Sequence, residues 1–250
     1  MDNKSEYYIW DVENFHLFGA WLISKNIIGH GLLCIIGPAF GFKIGELLTL
    51  TWNHLIDYRG SPYGETYVPG NERKRRRINN FVSHYISIGY DKWRGIREYN
   101  PSELVFTYTV SGLPLSTSNL NKELKRYFEQ FKSEMEEKYS QIADFRQPKT
   151  SSFEIAWARN LVKQYNYTKK SFSTVSKELG HPSVQYTVKL LEIEPNDIIN
   201  INCADYNPDL QMIEEIDYKL ESGKDGTGKF YQFKLLKSEY NDSVEDEIED

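Results

Sequence analysis

Five consecutive basic residues, at positions 73–77, form the longest basic run in the chain. Arginine presents a planar fork of N–H donors that matches phosphate oxygens, and lysine adds a compact point charge. Turn-forming Gly70 precedes the run, and β-prone segments flank it. The pattern predicts a β-hairpin whose tip binds the phosphates of a polyanion without reading a sequence. A solvated basic loop without a partner is the alternative.

A second candidate group is the imidazole of His181. It lies between Gly180, a residue typical of helix ends, and Pro182, which is typical of the first position of a helix. We therefore predict that His181 sits in a corner between two helices and faces the groove beside them.

The elements that position these residues are predicted from apolar periodicity. Helical spacing of three and four residues indicates helices within residues 7–25, 31–40, 116–131 and 153–162. Asp11 is the expected N-cap of the first, and the nearly continuous apolar character of the second places it at the centre. Short strands are predicted at residues 52–58, 64–68 and 83–88. The fold class is thus α+β and mainly helical, with a small antiparallel β-sheet.

Several of these segments, in this order, resemble signatures of the tyrosine recombinase (phage integrase) family. The first begins at Gly41 and Lys43 and continues through Glu46 to Trp52, and the last is Leu179-Gly180-His181. Between them, a Gly-x-Pro-Leu-Ser link at residues 112–116 leads into a long helix. The resemblance covers about residues 10–195 and implies a helical bundle like the catalytic domain of that family.

The family's catalytic positions are largely replaced in this sequence. Lys43 stands where the family has an arginine that clamps the scissile phosphate, and Lys74 is the nearest match to its hairpin lysine. Gln147 and Thr150 replace a His-x-x-Arg box, and Leu190 occupies the position of the tyrosine nucleophile. The resemblance therefore implies that the protein binds DNA and is not an enzyme. The residues expected to contact DNA are Lys43, Arg73, Lys74, Arg75, Arg76, Arg77, Arg146, Lys149 and His181.

Charge is distributed unevenly along the chain. Lysine and arginine total 30 and aspartate and glutamate total 36, for a net charge of −6. Residues 191–250 hold 17 acidic and 5 basic residues, so they carry −12 and residues 1–190 carry +6. A basic body suits a polyanionic partner, and an acidic arm either competes with that partner or makes separate contacts.

The expected organisation has three parts. Residues 1–195 form the recombinase-like domain, residues 196–241 an extension containing a β-hairpin, and residues 242–250 an acidic disordered tail. No apolar run is long enough to span a membrane, no secretory signal opens the chain, and two cysteines predict neither a disulfide framework nor a metal site. We expect a cytoplasmic protein without a cofactor, and a homo-oligomer formed through the extension is an open alternative.

Three functions remain open from the sequence. The first is a catalytically inactive recombinase-like protein that binds double-stranded DNA, as a transcriptional regulator or recombination accessory of a phage or other mobile element. The second is an active site-specific recombinase whose nucleophilic tyrosine has moved. The third is a protein-interaction module on the same fold.

Overall fold

A computed structural model describes residues 10–98, 100–135, 145–165 and 169–191. All of these belong to the first of two units into which the chain divides after residue 204. The predicted extension and acidic tail lie outside the described residues. The described helices are α1 (Val12–Ser24), α2 (Ile28–Phe40), α3 (Ile44–Leu47), α4 (Asn80–Arg94), α5 (Thr117–Met135), α6 (Ser151–Gln164), α7 (Lys169–Leu179) and α8 (Val184–Leu190). The described strands are β1 (Glu65–Val68) and β2 (Asn71–Arg77), and residues Trp52–His54 form a short 3₁₀ turn.

Helix α2 lies at the centre of this unit, as its apolar sequence predicts. It packs against α1, α4 and α6, and nearly all of its residues are buried. Its approach to α1 requires glycine on both helices, because a Cβ at Gly19 would lie 2.7 Å from the carbonyl oxygen of Gly31. A Cβ at Gly31 would lie 2.8 Å from the oxygen of Gly19, so the two backbones are nearly in contact.

Aromatic side chains fill the space between α1, α5 and α6. The Asp11 carboxylate caps α1 by accepting the backbone N–H of Asn14 at 2.8 Å, which confirms the predicted start of this helix. Phe15 packs against Phe153 of α6, with ring centroids 4.9 Å apart, and Phe18 packs against Phe128 and Phe131 of α5. The buried residues of α1 and α5 thus follow the spacing that predicted these helices.

The β-structure differs from the prediction in two places. Residues 52–58 do not form a strand: Trp52–His54 is a 3₁₀ turn, and Ile56 forms only an isolated bridge with Pro62. Residues 83–88 lie inside α4, because Val82, Tyr85, Ile86, Gly89 and Trp93 bury one helical face. That spacing extends over four turns, whereas the apparent alternation at 83–88 covers only six residues. The partner of β1 is instead β2, the basic run itself.

A second cluster of buried side chains joins α6, α7 and α8. It contains Trp157, Val162, Phe172, Val175 and Leu191. Helix α7 ends at Gly180, which adopts the left-handed conformation with φ of 68°. The expectation that Pro182 opens the next helix was wrong. Helix α8 begins at Val184, and Ser183 caps it by accepting the backbone N–H of Tyr186 at 3.1 Å.

No helix in the four described ranges is both long enough and apolar enough to cross a membrane. Within the same ranges, no group of three or more histidine, cysteine, aspartate and glutamate side chains is arranged to hold a metal ion.

The buried His16 makes the stability of this unit depend on pH. Its ring stacks on Phe81, with centroids 4.3 Å apart, and burial lowers its pKa to about 3 from an ordinary value of 6.5. Between these values the unfolded chain binds the proton and the folded protein does not, so stability falls as the pH falls below about 6.5. We expect His16 to cost about 2 kcal/mol of stability at pH 5 relative to pH 7.

The variant His16→Leu keeps a buried side chain of similar volume but cannot bind a proton. Urea unfolding of the parent protein and the variant at pH 7 and pH 5 measures the contribution of His16. We expect the loss of stability between the two pH values to be about 2 kcal/mol smaller in the variant. An equal loss in both proteins would contradict this assignment.

Candidate nucleic-acid interface

The basic run lies along strand β2 and does not form a hairpin tip, which corrects the predicted location. The register pairs Glu65 with Arg77, Thr66 with Arg76 and Tyr67 with Arg75. Because successive side chains of a strand point to opposite faces, the run is divided between two environments. Arg73, Arg75 and Arg77 are exposed, whereas Lys74 and Arg76 are half-buried. We call the exposed set the outer arginine face.

Lys74 points toward α3 and is paired there with a carboxylate. Its Nζ lies 2.6 Å from Oε2 of Glu46, and the same oxygen accepts the backbone N–H of Lys43 at 2.7 Å. Burial acts to raise the pKa of Glu46, but the hydrogen bonds from Lys74 and Lys43 outweigh it and the pKa is lowered overall. Glu46 is therefore ionised at neutral pH and compensates the charge of Lys74.

A second carboxylate, Glu154 of α6, lies in the electrostatic field of the same group. Burial raises the pKa of Glu154, and the charges of Lys43 and Lys74 partly oppose that rise. The place where the sequence suggested a phosphate-binding pair of lysines thus contains two lysines and two glutamates. Its positive charge is partly balanced within the protein, by the ion pair of Lys74 with Glu46.

Arg76 is built into the body of the protein. Its Nε donates to the carbonyl of Phe40 at 2.7 Å, and Nη2 contacts Glu178 at 2.9 Å. The guanidinium lies 5.4 Å from the ring centroid of Phe42 and 4.9 Å from that of Trp157. These contacts join β2 to the end of α2, to α6 and to α7. Arg76 therefore has a structural role, and its fork of donors is already occupied.

The outer arginine face keeps most of its charge available. Arg75 pairs with Glu65 at 2.7 Å, but both side chains are more than half exposed, and such surface pairs contribute little. In the described part of the chain, no ion pair involves Arg73 or Arg77. Strand β2 therefore exposes three arginines to solvent. Arg73 and Arg77 form no ion pair within the described residues, and Arg75 forms only a weak one.

The His181 corner lies beside the hairpin, because the Arg76–Glu178 pair joins β2 to the last turn of α7. Nδ1 of His181 lies 2.9 Å from the hydroxyl of Thr187. Partial burial lowers the pKa of His181, so the imidazole is neutral at pH 7. Its ring meets that of Tyr186 edge-on, with centroids 5.0 Å apart, and Tyr186 is 49% exposed.

The remaining predicted residues lie on the segment that leads into α6. Arg146 and Lys149 are exposed, and the carbonyl of Arg146 accepts the indole N–H of Trp10 from beside α1. Gln147 donates to Glu129 of α5 at 3.1 Å, and the backbone N–H of Thr150 donates to Asn121 of α5 at 2.9 Å. These hydrogen bonds join the segment to Trp10, just before α1, and to α5.

Sequence reasoning missed the carboxylates that neutralise the basic run. Glu65 could have been found from a correct hairpin register, since it lies directly opposite Arg77 and diagonal to Arg75. Glu154 lies 77 residues after Arg77 in the chain and Glu178 lies 101 residues after it, so only tertiary packing brings them to the run. No local pattern in the sequence marks them.

Comparisons with known proteins give a structural match and no sequence match. No protein-family model matches the chain, and no curated protein matches it. Among solved structures, the chain is similar to the Tn1549 transposon integrase (residues 82–397, Y379F), solved in complex with transposon right-end DNA. The TM-score is 0.50 at 12% sequence identity, and the match covers 80% of this chain and 66% of the integrase chain, slightly less than two-thirds.

The match supports the recombinase-like fold indicated by the sequence, in a mainly helical form with a two-stranded antiparallel sheet. It also corrects one prediction. The expectation that the protein is not an enzyme is contradicted, because the structure to which the chain is similar is an integrase, and integrases are enzymes. At this level of identity the comparison establishes a shared fold: the chain folds like the integrase of a transposon.

Proposed function

We propose that this protein is a recombinase-like protein that binds double-stranded DNA through its outer arginine face. The observation that carries the proposal is the alternate exposure along β2: Arg73, Arg75 and Arg77 are exposed and Lys74 and Arg76 are half-buried, although the register is irregular beside Arg73 and Lys74. Arginine is suited to phosphate because its planar donors can contact two oxygens at once.

The spacing of this face also fits a nucleic-acid backbone. Alternate residues of a strand are separated by about 6.8 Å, twice the rise per residue. Phosphates on one DNA strand advance about 3.4 Å per nucleotide along the helix axis. Arg75 and Arg77, which lie in the regular part of the register, are therefore separated by about two nucleotide rises along the DNA axis, and Arg73 lies beside them at the irregular part of the hairpin. Such contacts fix position and supply affinity without reading bases.

Lys74 and Arg76 do not take part in this proposal, although they belong to the same run. Lys74 is held by Glu46, and Arg76 is held by Phe40 and Glu178. Additional contacts with DNA are open to the exposed Lys43, Arg146 and Lys149 and to the half-buried His181. The setting that we propose is a mobile element, where binding serves recombination or the control of transcription.

Duplex titration of the full-length chain tests DNA binding. A labelled duplex of random sequence is titrated between about 50 and 200 mM salt. Three arginine–phosphate contacts predict a plot of log affinity against log salt with a slope of about −2.7 or steeper. Absence of binding at the lowest salt, or affinity independent of salt, would overturn the proposal.

A second candidate function is DNA strand cleavage by Tyr186, and one observation favours it. Its phenol is half exposed, and its ring contacts the neutral imidazole of His181. A neutral imidazole can accept the proton as the phenol oxygen attacks a phosphodiester phosphorus. A phosphotyrosine bond forms, the bond from phosphorus to one ester oxygen breaks, and that oxygen leaves as an alcohol after taking the proton that the imidazole accepted. The similarity to an integrase agrees with this chemistry.

Covalent capture tests this second function separately from binding. A nicked duplex is incubated with the full-length protein, and protein–DNA adducts are resolved on a denaturing gel. An adduct that disappears in Tyr186→Phe and persists in Tyr165→Phe supports cleavage by Tyr186. Tyr165 is a suitable control because it is also exposed. Absence of an adduct, or an adduct that persists in Tyr186→Phe, overturns the role of Tyr186.

A further inference from the structure

A rigid turn precedes strand β1. The carboxylate of Asp57 accepts the backbone N–H of Arg59 at 2.8 Å and that of Ser61 at 2.9 Å. The backbone N–H of Asp57 donates to the carbonyl of Ser61 at 2.8 Å. Gly60 adopts a φ of 85°, and a Cβ there would lie 2.8 Å from the ring of Tyr90. The turn is therefore fixed by its own hydrogen bonds and by close packing on α4.

This fixed turn holds an aromatic ring in solvent. Tyr58 is 79% exposed, so its ring is not part of the core. Nε of Arg59 donates to the Tyr58 hydroxyl at 2.7 Å, and the guanidinium carbon lies 5.1 Å from the ring centroid. The arginine orients the ring at its polar edge and leaves an aromatic surface accessible. Tyr63, at the other end of the turn, is also exposed.

The turn is continuous with the outer arginine face. Tyr63 lies two residues before Glu65, and Glu65 is the strand partner of Arg77. The backbone N–H of Ile78 donates to the carbonyl of Gly64 at 2.9 Å, which extends the pairing of the two chain segments toward the turn. The turn therefore adjoins the end of the hairpin at which Arg77 lies.

We propose that Tyr58 is a stacking platform for an unpaired base of a DNA strand, with Arg59 available to the adjacent phosphate. The inference rests on the proposed DNA binding by the outer arginine face. Exposed aromatic rings beside cationic side chains are the chemistry with which proteins hold single-stranded nucleic acid. Bases inside a duplex are already paired and stacked on their neighbours, so the proposed partner of the ring is an unpaired base, at an overhang or an interruption.

The composition of the turn favours a base over an apolar protein surface. The other residues of the turn are either polar, as are Asp57, Arg59 and Ser61, or typical of turn geometry, as are Gly60 and Pro62. Protein-binding patches instead bury a cluster of apolar side chains at their centre. In this turn a single exposed ring is flanked by charged side chains, so one planar base is enough to cover the ring.

The test compares two labelled DNAs with the full-length protein. They share one duplex, and one of them carries a short unpaired thymine overhang. We expect the parent protein to bind the overhang DNA roughly 5- to 150-fold more tightly, the range for stacking of one base. Tyr58→Ala should abolish this preference and leave the affinity for the blunt duplex unchanged. Tyr58→Phe retains the aromatic ring and should retain the preference.

Val110→Ala is the control, because Val110 is exposed on another loop and has no proposed contact with DNA. It should behave like the parent protein on both DNAs. Equal affinity of the parent for the two DNAs overturns the inference, as does a preference that survives in Tyr58→Ala. An equal loss on both DNAs in Tyr58→Ala also overturns it, because the ring then contacts paired DNA.

The outcomes separate this inference from the function on which it rests. Binding to the blunt duplex without an overhang preference supports duplex binding and overturns the stacking site. The protein could instead bind the overhang DNA through Tyr58 and fail to bind the blunt duplex. That result supports the stacking site and overturns the proposed binding of duplex DNA by the outer arginine face. Failure to bind either DNA overturns both.

Discussion

Replacing Arg73 and Arg77 together with alanine is expected to reduce the salt dependence of duplex binding by about 1.8 in the log–log slope. Each arginine that neutralises a phosphate contributes about 0.9 to that slope through released counterions. Both side chains are exposed, and neither forms an ion pair within the described residues. The double variant should therefore fold normally, and its loss of affinity should be similar for all duplex sequences. Fluorescence anisotropy over a series of salt concentrations measures the effect.

A matched variant distinguishes contact from net charge. Lys92→Ala combined with Lys122→Ala removes the same charge from exposed positions on α4 and α5. We expect this variant to keep the parental slope. Equal slopes in the parent and the Arg73/Arg77 variant would show that the outer arginine face does not touch DNA.

Replacing Arg76 with alanine is expected to destabilise the protein by about 3 kcal/mol. The substitution removes a half-buried cation that contacts two aromatic rings and leaves the carbonyl of Phe40 and the carboxylate of Glu178 without this donor. For a chain of this size the change corresponds to a decrease in Tm of roughly 6–12 °C. Thermal or urea unfolding measures it.

Arg75→Ala provides the comparison for Arg76, because the two residues are adjacent and carry the same side chain. Arg75 is exposed and pairs with exposed Glu65, so its removal should cost less than about 1 kcal/mol. Similar losses in the two variants would contradict the assignment of opposite roles to the two faces of β2.

The helices could be predicted from the sequence because their signals are local. Asp11 caps α1 as expected, and the apolar spacing from Leu120 to Phe131 identifies the buried face of α5. Phe153, Ala156 and Trp157 do the same for α6. In each case a residue is buried at intervals of three or four, and that periodicity is visible without knowledge of the packing partner.

The hairpin could not be placed correctly, because its second strand lacks the composition expected of a strand. Arginine and lysine form β2, although β-branched and aromatic residues are the usual signal. Pairing with β1 and the anchoring of Arg76 between Phe42 and Trp157 stabilise this conformation. These contacts are tertiary, so the local sequence favoured a loop.

The candidate site was predictable in its residue types and not in its charge balance. The sequence identifies the basic run, but the structure assigns Lys74 to Glu46 and Arg76 to Glu178. A run of five basic residues thus has three that face solvent, and which three they are follows only from the strand register. Glu154 joins the lysine group through α6, and nothing near the run in sequence indicates it.

Chemical labelling of individual arginines, with and without DNA, tests the central claim most directly. The full-length protein is treated with an arginine-specific dicarbonyl reagent, and the modified residues are quantified by mass spectrometry. We predict that Arg73 and Arg77 react readily in the free protein and are protected by saturating duplex, whereas the anchored Arg76 reacts slowly in both states. Labelling of Arg73 and Arg77 at the same rate in free and DNA-bound protein would contradict the proposal that the outer arginine face holds DNA.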